Sequence, residues 1–224
     1  MAKKLKVLLF FITFFVNGYM NISAEQLPKL FPFEKGDALK EWQEKIFKGK
    51  VLYSVIVNRK NGYLSAFSQN TASGIFYKLS FNPKKEPMVS WKWKVLKFPG
   101  KTNKVTDKNN GIEKDDYAAR FYVIFPRLAF NLTKAMEYIW DETLPEGTII
   151  TSPYFKNIKL MVVESGKENL GKWVYEERNV YADFKKAFGR EPGEAGAIAL
   201  MTDTDNTAST AEADYDEIKV GYKK

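Results

Sequence analysis

The sequence contains no cysteine and no histidine among its 224 residues. The absence of cysteine excludes disulfide bonds, and the absence of both residues excludes structural zinc clusters, haem ligation and iron–sulfur centres. It also excludes the Ser-His-Asp and Cys-His nucleophile systems of many hydrolases. Any catalysis by this chain therefore depends on carboxylates, lysine, tyrosine, arginine or hydroxyl groups.

The first 24 residues have the pattern of a cleavable signal peptide. Lys3, Lys4 and Lys6 form a cationic start, Val7–Val16 is mainly apolar, and Ala24 is a small residue at the end of the segment. The apolar run is shorter than the roughly 20 residues that span a bilayer. We therefore expect cleavage after Ala24 and export to the periplasm or the medium, with an uncleaved anchor as the alternative.

Residues 25–224 are expected to form a single domain with no transmembrane segment. No internal repeat and no long low-complexity linker divides them, and a chain of this length buries a sufficient core without disulfide bonds. Removing residues 1–24, which carry three lysines and no acidic residue, lowers the formal net charge from +8 to +5. The basic character of the chain therefore comes in part from the signal peptide, and the oligomeric state stays open.

Short β-branched and aromatic runs recur along the chain and predict a mainly β fold. Parallel crossovers would require a helix between successive strands, so the scarcity of helical patterns favours an antiparallel β-sandwich with a few short helices. Asn61-Gly62 is a typical hairpin turn between two of the runs. The predicted strands are Val51–Val57, Tyr63–Phe67, Gly74–Phe81, Val89–Lys97, Tyr117–Phe125, Ile158–Glu164, Lys172–Glu177, Ala195–Thr202 and Glu217–Tyr222.

Three segments are predicted to be helical and one to be a long loop. Asp37–Phe47 begins with a residue that can cap a helix, and it repeats apolar residues at helical spacing. Leu128–Trp140 is moderately periodic, and Ala182–Phe188 precedes Gly189, a typical helix terminator. Phe98–Lys114 is rich in lysine, asparagine and threonine. We expect this last segment to be a solvated loop, with ligand binding as the alternative.

Four short motifs occur in an order that resembles a known family. They are Trp91-x-Trp93, Asp115-Asp116-Tyr117-x-x-Arg120, Tyr138-x-Trp140 and Thr202-Asp203-Thr204-Asp205-Asn206-Thr207. From Phe33 to about Val220 the chain is similar to the bacterial exported domain-of-unknown-function family numbered 3047. That resemblance implies an exported single domain with no assigned activity. By analogy of fold it also implies a jelly-roll sandwich like those of carbohydrate-binding modules.

Trp91 and Trp93 lie on one face of a predicted strand, together with Val89 and Val95. Because serine and lysine residues occupy the opposite face, the alternation favours burial of both indoles in the core. The alternative is an exposed aromatic platform, on which a sugar ring would stack while nearby amides and carboxylates bind its hydroxyl groups. Both tryptophans are therefore candidates for ligand binding.

Arg120 lies within a strand whose faces are both largely apolar, just after the adjacent acids Asp115 and Asp116. A buried arginine needs an acidic partner, which favours a structural ion pair. The possible partners are Asp183, Asp203 and Asp205. The alternative is an arginine whose planar guanidinium binds a carboxylate, sulfate or phosphate of a ligand. Asp115, Asp116, Arg120 and Asp183 are accordingly candidates for ligand binding.

The sequence Asp203-x-Asp205-x-Thr207 has the form of the nucleophile motif of aspartyl-phosphate phosphatases. In those enzymes the motif ends the first strand of a parallel sheet, and the 17 residues that follow Thr207 here are too few to build one. Closely spaced Asp and Thr oxygens at a strand end suit Ca²⁺, which Asp214 and Asp216 could also bind. A structural Ca²⁺ site at Asp203, Asp205 and Thr207 is one hypothesis, and hydrogen-bonded turn acids without a metal are the other.

Taken together, these patterns favour a non-catalytic binding module for a glycan or an anionic envelope ligand. Its polar site would contain Asp115, Asp116, Arg120, Asp203 and Asp205. A histidine-free glycosidase or lyase that uses the same carboxylates is the alternative. A purely structural envelope protein is a third hypothesis.

Nucleic acid is disfavoured as a partner, although Lys78 to Lys114 holds ten lysines against three acidic residues. Export argues against a nucleic-acid partner, and alternating lysines are typical of the solvated face of a sheet. Attraction to an anionic glycan or lipid headgroup is the functional alternative for this segment.

Overall fold

The computed structural model describes residues 26–58, 61–101 and 115–224, which form two packed β-sheets, one of six strands and one of seven. The mainly β antiparallel sandwich expected from the sequence is confirmed. The predicted signal peptide, residues 1–24, and most of the predicted loop at Phe98–Lys114 lie outside the described residues.

Thirteen strands occur in the described part of the chain. In chain order they are β1 (Lys29–Phe31), β2 (Gln43–Lys48), β3 (Leu52–Asn58), β4 (Asn61–Gln69), β5 (Ala72–Phe81), β6 (Met88–Lys97), β7 (Arg120–Phe125), β8 (Lys134–Asp141), β9 (Ile149–Thr151), β10 (Ile158–Ser165), β11 (Val174–Asn179), β12 (Ala195–Asp203) and β13 (Thr210–Tyr222). The six-stranded sheet has the order β11-β6-β13-β4-β3, with β1 paired to β13, and the seven-stranded sheet has the order β2-β5-β12-β7-β8-β10-β9. Paired strands are antiparallel, apart from β8 and β10, which run parallel.

The last of the predicted helices is confirmed as α1 (Val180–Phe188). Asn179 caps its first turn, because the Asn179 side chain accepts a hydrogen bond from the Ala182 N–H at 2.9 Å. Gly189 ends the helix in the left-handed conformation. Within residues 26–58, 61–101 and 115–224, no helix has the length and apolar composition needed to cross a membrane.

The predicted hairpin is present, but Asn61-Gly62 does not form its turn. Both residues already belong to β4, where Asn61 pairs with Asn58 of β3. A Cβ atom on Gly62 would lie 2.1 Å from the carbonyl oxygen of Phe33. Glycine at this position therefore allows a neighbouring backbone to approach closely.

The predicted helix at Asp37–Phe47 is wrong. Tight turns occupy residues 36–41, and β2 follows them as the edge strand next to β5. Trp42 packs edge-on against Phe31 and Tyr77, with ring centroids 5.2 and 5.7 Å away. These tertiary contacts, with the hydrogen bonds to β5, outweigh the local helical spacing.

The predicted helix at Leu128–Trp140 is also wrong. A single 3-10 turn at Phe130–Leu132 is followed by β8, which pairs with β7 and β10. Every residue of β8 after Lys134 is buried. Because both faces of β8 pack against protein, the strand lacks the alternation of polar and apolar residues that predicts a half-exposed strand. The short strand β9 was not predicted.

Large aromatic rings fill the space between the sheets. Trp91 stacks on Phe121 with ring centroids 4.4 Å apart, and it packs edge-on against Trp93 at 5.4 Å. Neither indole has any exposed surface. The hypothesis that Trp91 and Trp93 form a ligand-binding platform is therefore corrected, since both belong to the core.

A second apolar cluster covers the outer face of the seven-stranded sheet. Buried side chains such as Tyr122, Ile139 and Leu160 form it, and Ile150 and Phe155 from the connection between β8 and β10 pack against it. Buried polar side chains, among them Arg120 and Asp203, lie at the end of the sheet where β7 begins and β12 ends.

Candidate functional site

Arg120, Glu137 and Asp203 come together on the outer face of the seven-stranded sheet. Arg120 is the first residue of β7 and Asp203 the last residue of β12, and these two strands are antiparallel neighbours. Glu137 lies on β8, at the register position opposite Tyr122. Strand alternation directs these side chains away from the core face that carries Phe121.

Arg120 is the centre of a buried ion-pair network. Its Nε and Nη2 donate to the two carboxylate oxygens of Asp203 at 2.9 and 2.7 Å, and its Nη1 donates to Glu137 Oε1 at 2.7 Å. Nη2 also donates to the Asp115 carbonyl, and Asp115 Oδ1 lies 3.8 Å from Nη1. No more than 6% of any of these four residues is exposed. A structural ion pair was predicted for Arg120 with Asp183, Asp203 or Asp205 as possible partners, and the structure shows Asp203 in that role.

Burial controls the ionisation of the three carboxyl groups around Arg120. It raises the pKa of Asp115 to about 7 against the opposing attraction of Arg120, and the charge of Glu137 adds to the increase. Burial also raises the pKa of Glu137 and of Asp203, although Arg120 lowers both. The attraction of one guanidinium therefore does not cancel the effect of burial on the pKa values of three carboxyl groups.

Asp116 has a different role from that of its neighbour Asp115. Its Oδ2 accepts hydrogen bonds from the N–H and the hydroxyl of Thr207 at 2.6 and 2.7 Å, and its Oδ1 accepts one from the Asn206 side-chain amide at 2.9 Å. Asp116 is fully buried. The side chain therefore fixes the turn that follows β12.

The predicted Ca²⁺ site does not fit this arrangement. Asp116, Asp203 and Asp205 do bring three carboxylate oxygens within 4.8 Å of one another. Ca²⁺, however, needs six to eight oxygen ligands, and both oxygens of Asp116 and of Asp203 already accept hydrogen bonds from protein donors. Thr207 likewise donates its hydroxyl to Asp116. The contacts fit hydrogen-bonded turn acids, the other hypothesis drawn from the sequence.

Asp183 lies apart from the network, on α1. Its carboxylate accepts hydrogen bonds from Arg178 Nη2 at 2.8 Å and from the Tyr138 hydroxyl at 3.1 Å. Asp183 is therefore neither a partner of Arg120 nor part of the same site, which corrects its place among the ligand-binding candidates.

A pocket opens on the outer face beside the network. Gly74 and Ala199 leave space on adjacent strands, and the cavity volume of the pocket is about 90 Å³. Asp115, Arg120, Glu137, Asp203, Asp205 and Asn206 are its charged and amide-bearing lining residues. Phe47, Tyr122, Tyr154 and Met201 supply aromatic rings and a thioether. The pocket thus combines apolar walls with several convergent polar groups.

The family model described as "Protein of unknown function (DUF3047)" matches residues 40–219. The chain belongs to this family. The match includes the four motifs, from Trp91 to Thr207, so the resemblance found in the sequence is confirmed. No curated protein matches the chain.

Several solved structures resemble this DUF3047 protein. The family 11 carbohydrate-binding module of the cellulosomal cellulase Lic26A-Cel5E of Clostridium thermocellum is 11% identical, with a TM-score of 0.47 over 88% of this chain and 95% of that chain. The CBM22-1 xylan-binding domain from Paenibacillus barcinonensis Xyn10C is 14% identical, with a TM-score of 0.39 over 90% and 100%. The K1 cleaved adhesin domain of Lys-gingipain from Porphyromonas gingivalis W83 is 12% identical, with a TM-score of 0.43 over 89% and 100%.

Glu137 and Tyr154 line the candidate site of the DUF3047 protein, but sequence reasoning missed both. Glu137 lies in a segment predicted to be helical, and Tyr154 lies in an irregular connection between β9 and β10. The signal for Glu137 was a lone acid in an apolar run, which suggests a buried partner for a buried arginine. Tyr154 had no comparable signal.

Proposed function

We propose that this DUF3047 protein binds a glycan in the pocket beside Arg120 and does not catalyse a reaction on it. One observation carries the proposal: aromatic rings and hydrogen-bonding carboxylates line the same open pocket. A sugar ring has apolar C–H faces that pack on aromatic rings, and hydroxyl groups around its edge that bind carboxylates and amides.

Tyr154 and Asn206 form a polar wall that is oriented by the protein itself. The Tyr154 hydroxyl donates to Asn206 Oδ1 at 2.6 Å, and the Asn206 amide donates to Asp116 at 2.9 Å. Both Tyr154 and Asn206 are half-buried, so part of each remains accessible. Side chains that are fixed before the ligand arrives lose less entropy on binding.

The occupied carboxylates favour binding over catalysis. Both oxygens of Asp203 are bound by Arg120, and Glu137 Oε1 accepts from the same guanidinium. These acids hold the arginine in place, whereas a glycosidase needs two carboxyl groups directed at the scissile bond.

The excess of acidic groups in the lining favours an uncharged glycan over an anionic envelope ligand, the two ligand classes predicted from the sequence. An anionic envelope ligand would meet Asp115, Glu137 and Asp203, three carboxyl groups that share the guanidinium of Arg120, which is unfavourable in a partly buried pocket. A glycan without acidic groups meets no such repulsion. We further propose that binding takes place outside the cytoplasm, in line with the signal-peptide pattern of residues 1–24.

The test is a panel of oligosaccharides titrated calorimetrically against the protein and two matched variants. Tyr154→Ala removes a pocket wall, and Tyr175→Ala removes an exposed tyrosine of β11 in the other sheet. We expect at least one oligosaccharide to bind, and Tyr154→Ala alone to weaken it by about tenfold or more, or about 1.4 kcal/mol. A panel with no binder, or equal affinities for the two variants, would overturn the proposal.

A histidine-free glycosidase is the second candidate, and Asp115 is the observation that favours it. Asp115 Oδ1 and Glu137 Oε1 both lie near Arg120 Nη1, at 3.8 and 2.7 Å. The pKa of Asp115 is raised by burial to about 7, so a protonated and an ionised carboxyl group can coexist. Release of reducing sugar from a panel member, abolished by Asp115→Asn with the melting temperature retained, would support hydrolysis over binding.

A further inference from the structure

A second cavity, the end groove, lies at one end of the six-stranded sheet and has a volume of about 630 Å³. β6 begins there, and β11 and β13 end there, because Met88 pairs with Asn179 on one side and with Tyr222 on the other. The turn before β6 adds Lys84 and Lys85 to the lining. Among the described residues, the end groove shares no lining residue with the pocket on the other sheet.

Basic side chains outnumber acidic ones in the end groove. Its lining includes five basic side chains and two acidic ones, namely Lys84, Lys85, Arg178, Lys223 and Lys224 against Glu177 and Asp183. Both acids already bind a cation of the groove, since Asp183 lies 2.8 Å from Arg178 Nη2 and Glu177 lies 2.6 Å from Lys224 Nζ. The other three lysines therefore have no acidic partner in the lining.

Two of these three lysines form no ion pair. Lys84 contacts Glu191, which lies outside the lining, and both of these side chains are about half exposed. Lys85 and Lys223 are exposed, and neither forms a salt bridge with an acid in the part of the chain that the structure describes. The end groove thus retains a surplus of positive charge that a ligand can reach.

The groups that bind the acids of the end groove hold its framework in place. Arg178 Nε and Nη2 donate to the two oxygens of Asp183 at 3.0 and 2.8 Å, and the buried Tyr138 hydroxyl donates to the same carboxylate at 3.1 Å. Glu177 also accepts a hydrogen bond from the Tyr222 hydroxyl at 3.0 Å. A framework that is fixed before the ligand arrives loses less entropy on binding.

The composition of the end groove favours an acidic polysaccharide over other polyanions. The described residues that line it include no aromatic ring, whereas proteins that bind single-stranded nucleic acid stack bases on aromatic rings. A lipid surface takes up apolar side chains that project from the protein, but Pro87 and Met88, the apolar residues of the groove, are half-buried and buried. Exposed lysines on both sides of an open groove instead suit negative groups that repeat along a chain.

We propose that the end groove binds an acidic polysaccharide, with its carboxylate or sulfate groups against Lys85 and Lys223. Lys84 and Lys85 belong to the lysine-rich segment for which the sequence left attraction to an anionic glycan open. The inference does not rest on the proposed function, because the pocket and the end groove have different linings. A neutral glycan and an acidic one would occupy two separate sites.

Two acidic octasaccharides test this inference, one of α-1,4-linked galacturonate and one of sulfated dextran. Each is titrated calorimetrically beside its uncharged counterpart, the methyl ester or the unsulfated dextran. We expect at least one acidic oligomer to bind about tenfold more tightly than its counterpart, with an affinity that falls as salt screens the charges. Absence of binding by both acidic oligomers, or equal affinity for the uncharged counterparts, would overturn the inference.

Two double variants that lose the same charge show where the acidic oligomer binds. Lys85→Gln with Lys223→Gln removes the unpaired lysines of the end groove. Lys97→Gln with Lys167→Gln removes two exposed lysines outside it, and Lys97 lies at the opposite end of β6. We expect the first pair to weaken binding about fivefold or more and the second pair less than about twofold. Equal losses would indicate general attraction to positive charge and would overturn the inference. Melting curves verify that the variants are folded.

Two further measurements distinguish the end groove from the pocket and from a lipid surface. Tyr154→Ala, in the pocket, should leave binding of the acidic oligomer unchanged. A loss equal to that of the lysine double variant would locate the oligomer in the pocket and overturn the inference. Vesicles of phosphatidylglycerol that bind more tightly than either oligomer, and lose binding in the lysine double variant, would also overturn it. Failure of the neutral oligosaccharide panel overturns the proposed function alone.

Discussion

Arg120→Met tests the buried network most directly. The substitution keeps most of the side-chain volume but removes the charge that Asp203, Glu137 and Asp115 share. Breaking a buried ion pair by removing one partner costs about 3–5 kcal/mol. Arg120 offsets the charge of three acids, so its removal leaves several buried carboxylates without a counter-charge. Protonation of these acids in the variant limits that penalty. We therefore expect the free energy of unfolding to fall by about 4 kcal/mol.

The assay is urea unfolding followed by the fluorescence of the buried core tryptophans, with Lys92→Met as the control. Lys92 pairs with Glu217 at 2.6 Å, but their side chains are 35% and 55% exposed, so the control should lose less than about 1 kcal/mol. The loss in Arg120→Met should also shrink as the pH falls through about 7, where Asp115 takes up a proton. Equal losses in the two variants would refute the view that Arg120 compensates buried charge.

Three further outcomes follow from the structure. Burial raises the pKa of Asp115 from 3.8 to about 7, so the folded protein holds this proton more tightly than the unfolded chain, and the free energy of unfolding should fall as the pH rises through that window. A denaturation series on Asp115→Asn should show a smaller fall, and an unchanged pH dependence would contradict this assignment. Ca²⁺ added after EDTA should leave the melting temperature unchanged. An increase of several degrees would instead support the hypothesis of a structural Ca²⁺ site. Gly62→Ala should lower the melting temperature more than Gly36→Ala does, because a Cβ atom on Gly62 would lie 2.1 Å from the Phe33 oxygen while Gly36 has no atom within 4 Å; equal melting temperatures would refute the close approach.

The sequence predicted strands of the sandwich correctly where one face of the strand contacts water and the other packs in the core. Lys92 and Lys94 alternate with Trp91 and Trp93 in β6, and the structure buries the tryptophans and places the lysines on the other face. The same logic failed for β8, which is buried on both faces and therefore carries no alternation. β7 is buried along its whole length as well, but its β-branched and aromatic residues still identified it as a strand.

Part of the candidate site was also predictable from the sequence. A buried arginine requires an acid, so the sequence predicted an ion pair of Arg120 with Asp183, Asp203 or Asp205, and the structure selects Asp203 at 2.7 Å. The walls of the pocket could not be predicted, because Phe47 comes from the edge strand β2 and Tyr154 from an irregular connection. Their meeting depends on how distant segments pack, which no local pattern records.

The position of β12 and β13 has a consequence for the order in which the chain folds. Each is an interior strand, β12 between β5 and β7 and β13 between β6 and β4. Neither sheet is continuous until residues 195–222 have been synthesised, and the Arg120–Asp203 pair joins positions 83 residues apart. Folds dominated by such distant contacts form slowly. A nascent chain of this topology therefore cannot complete either sheet until its synthesis is nearly finished, and its unpaired strands need protection from aggregation until then.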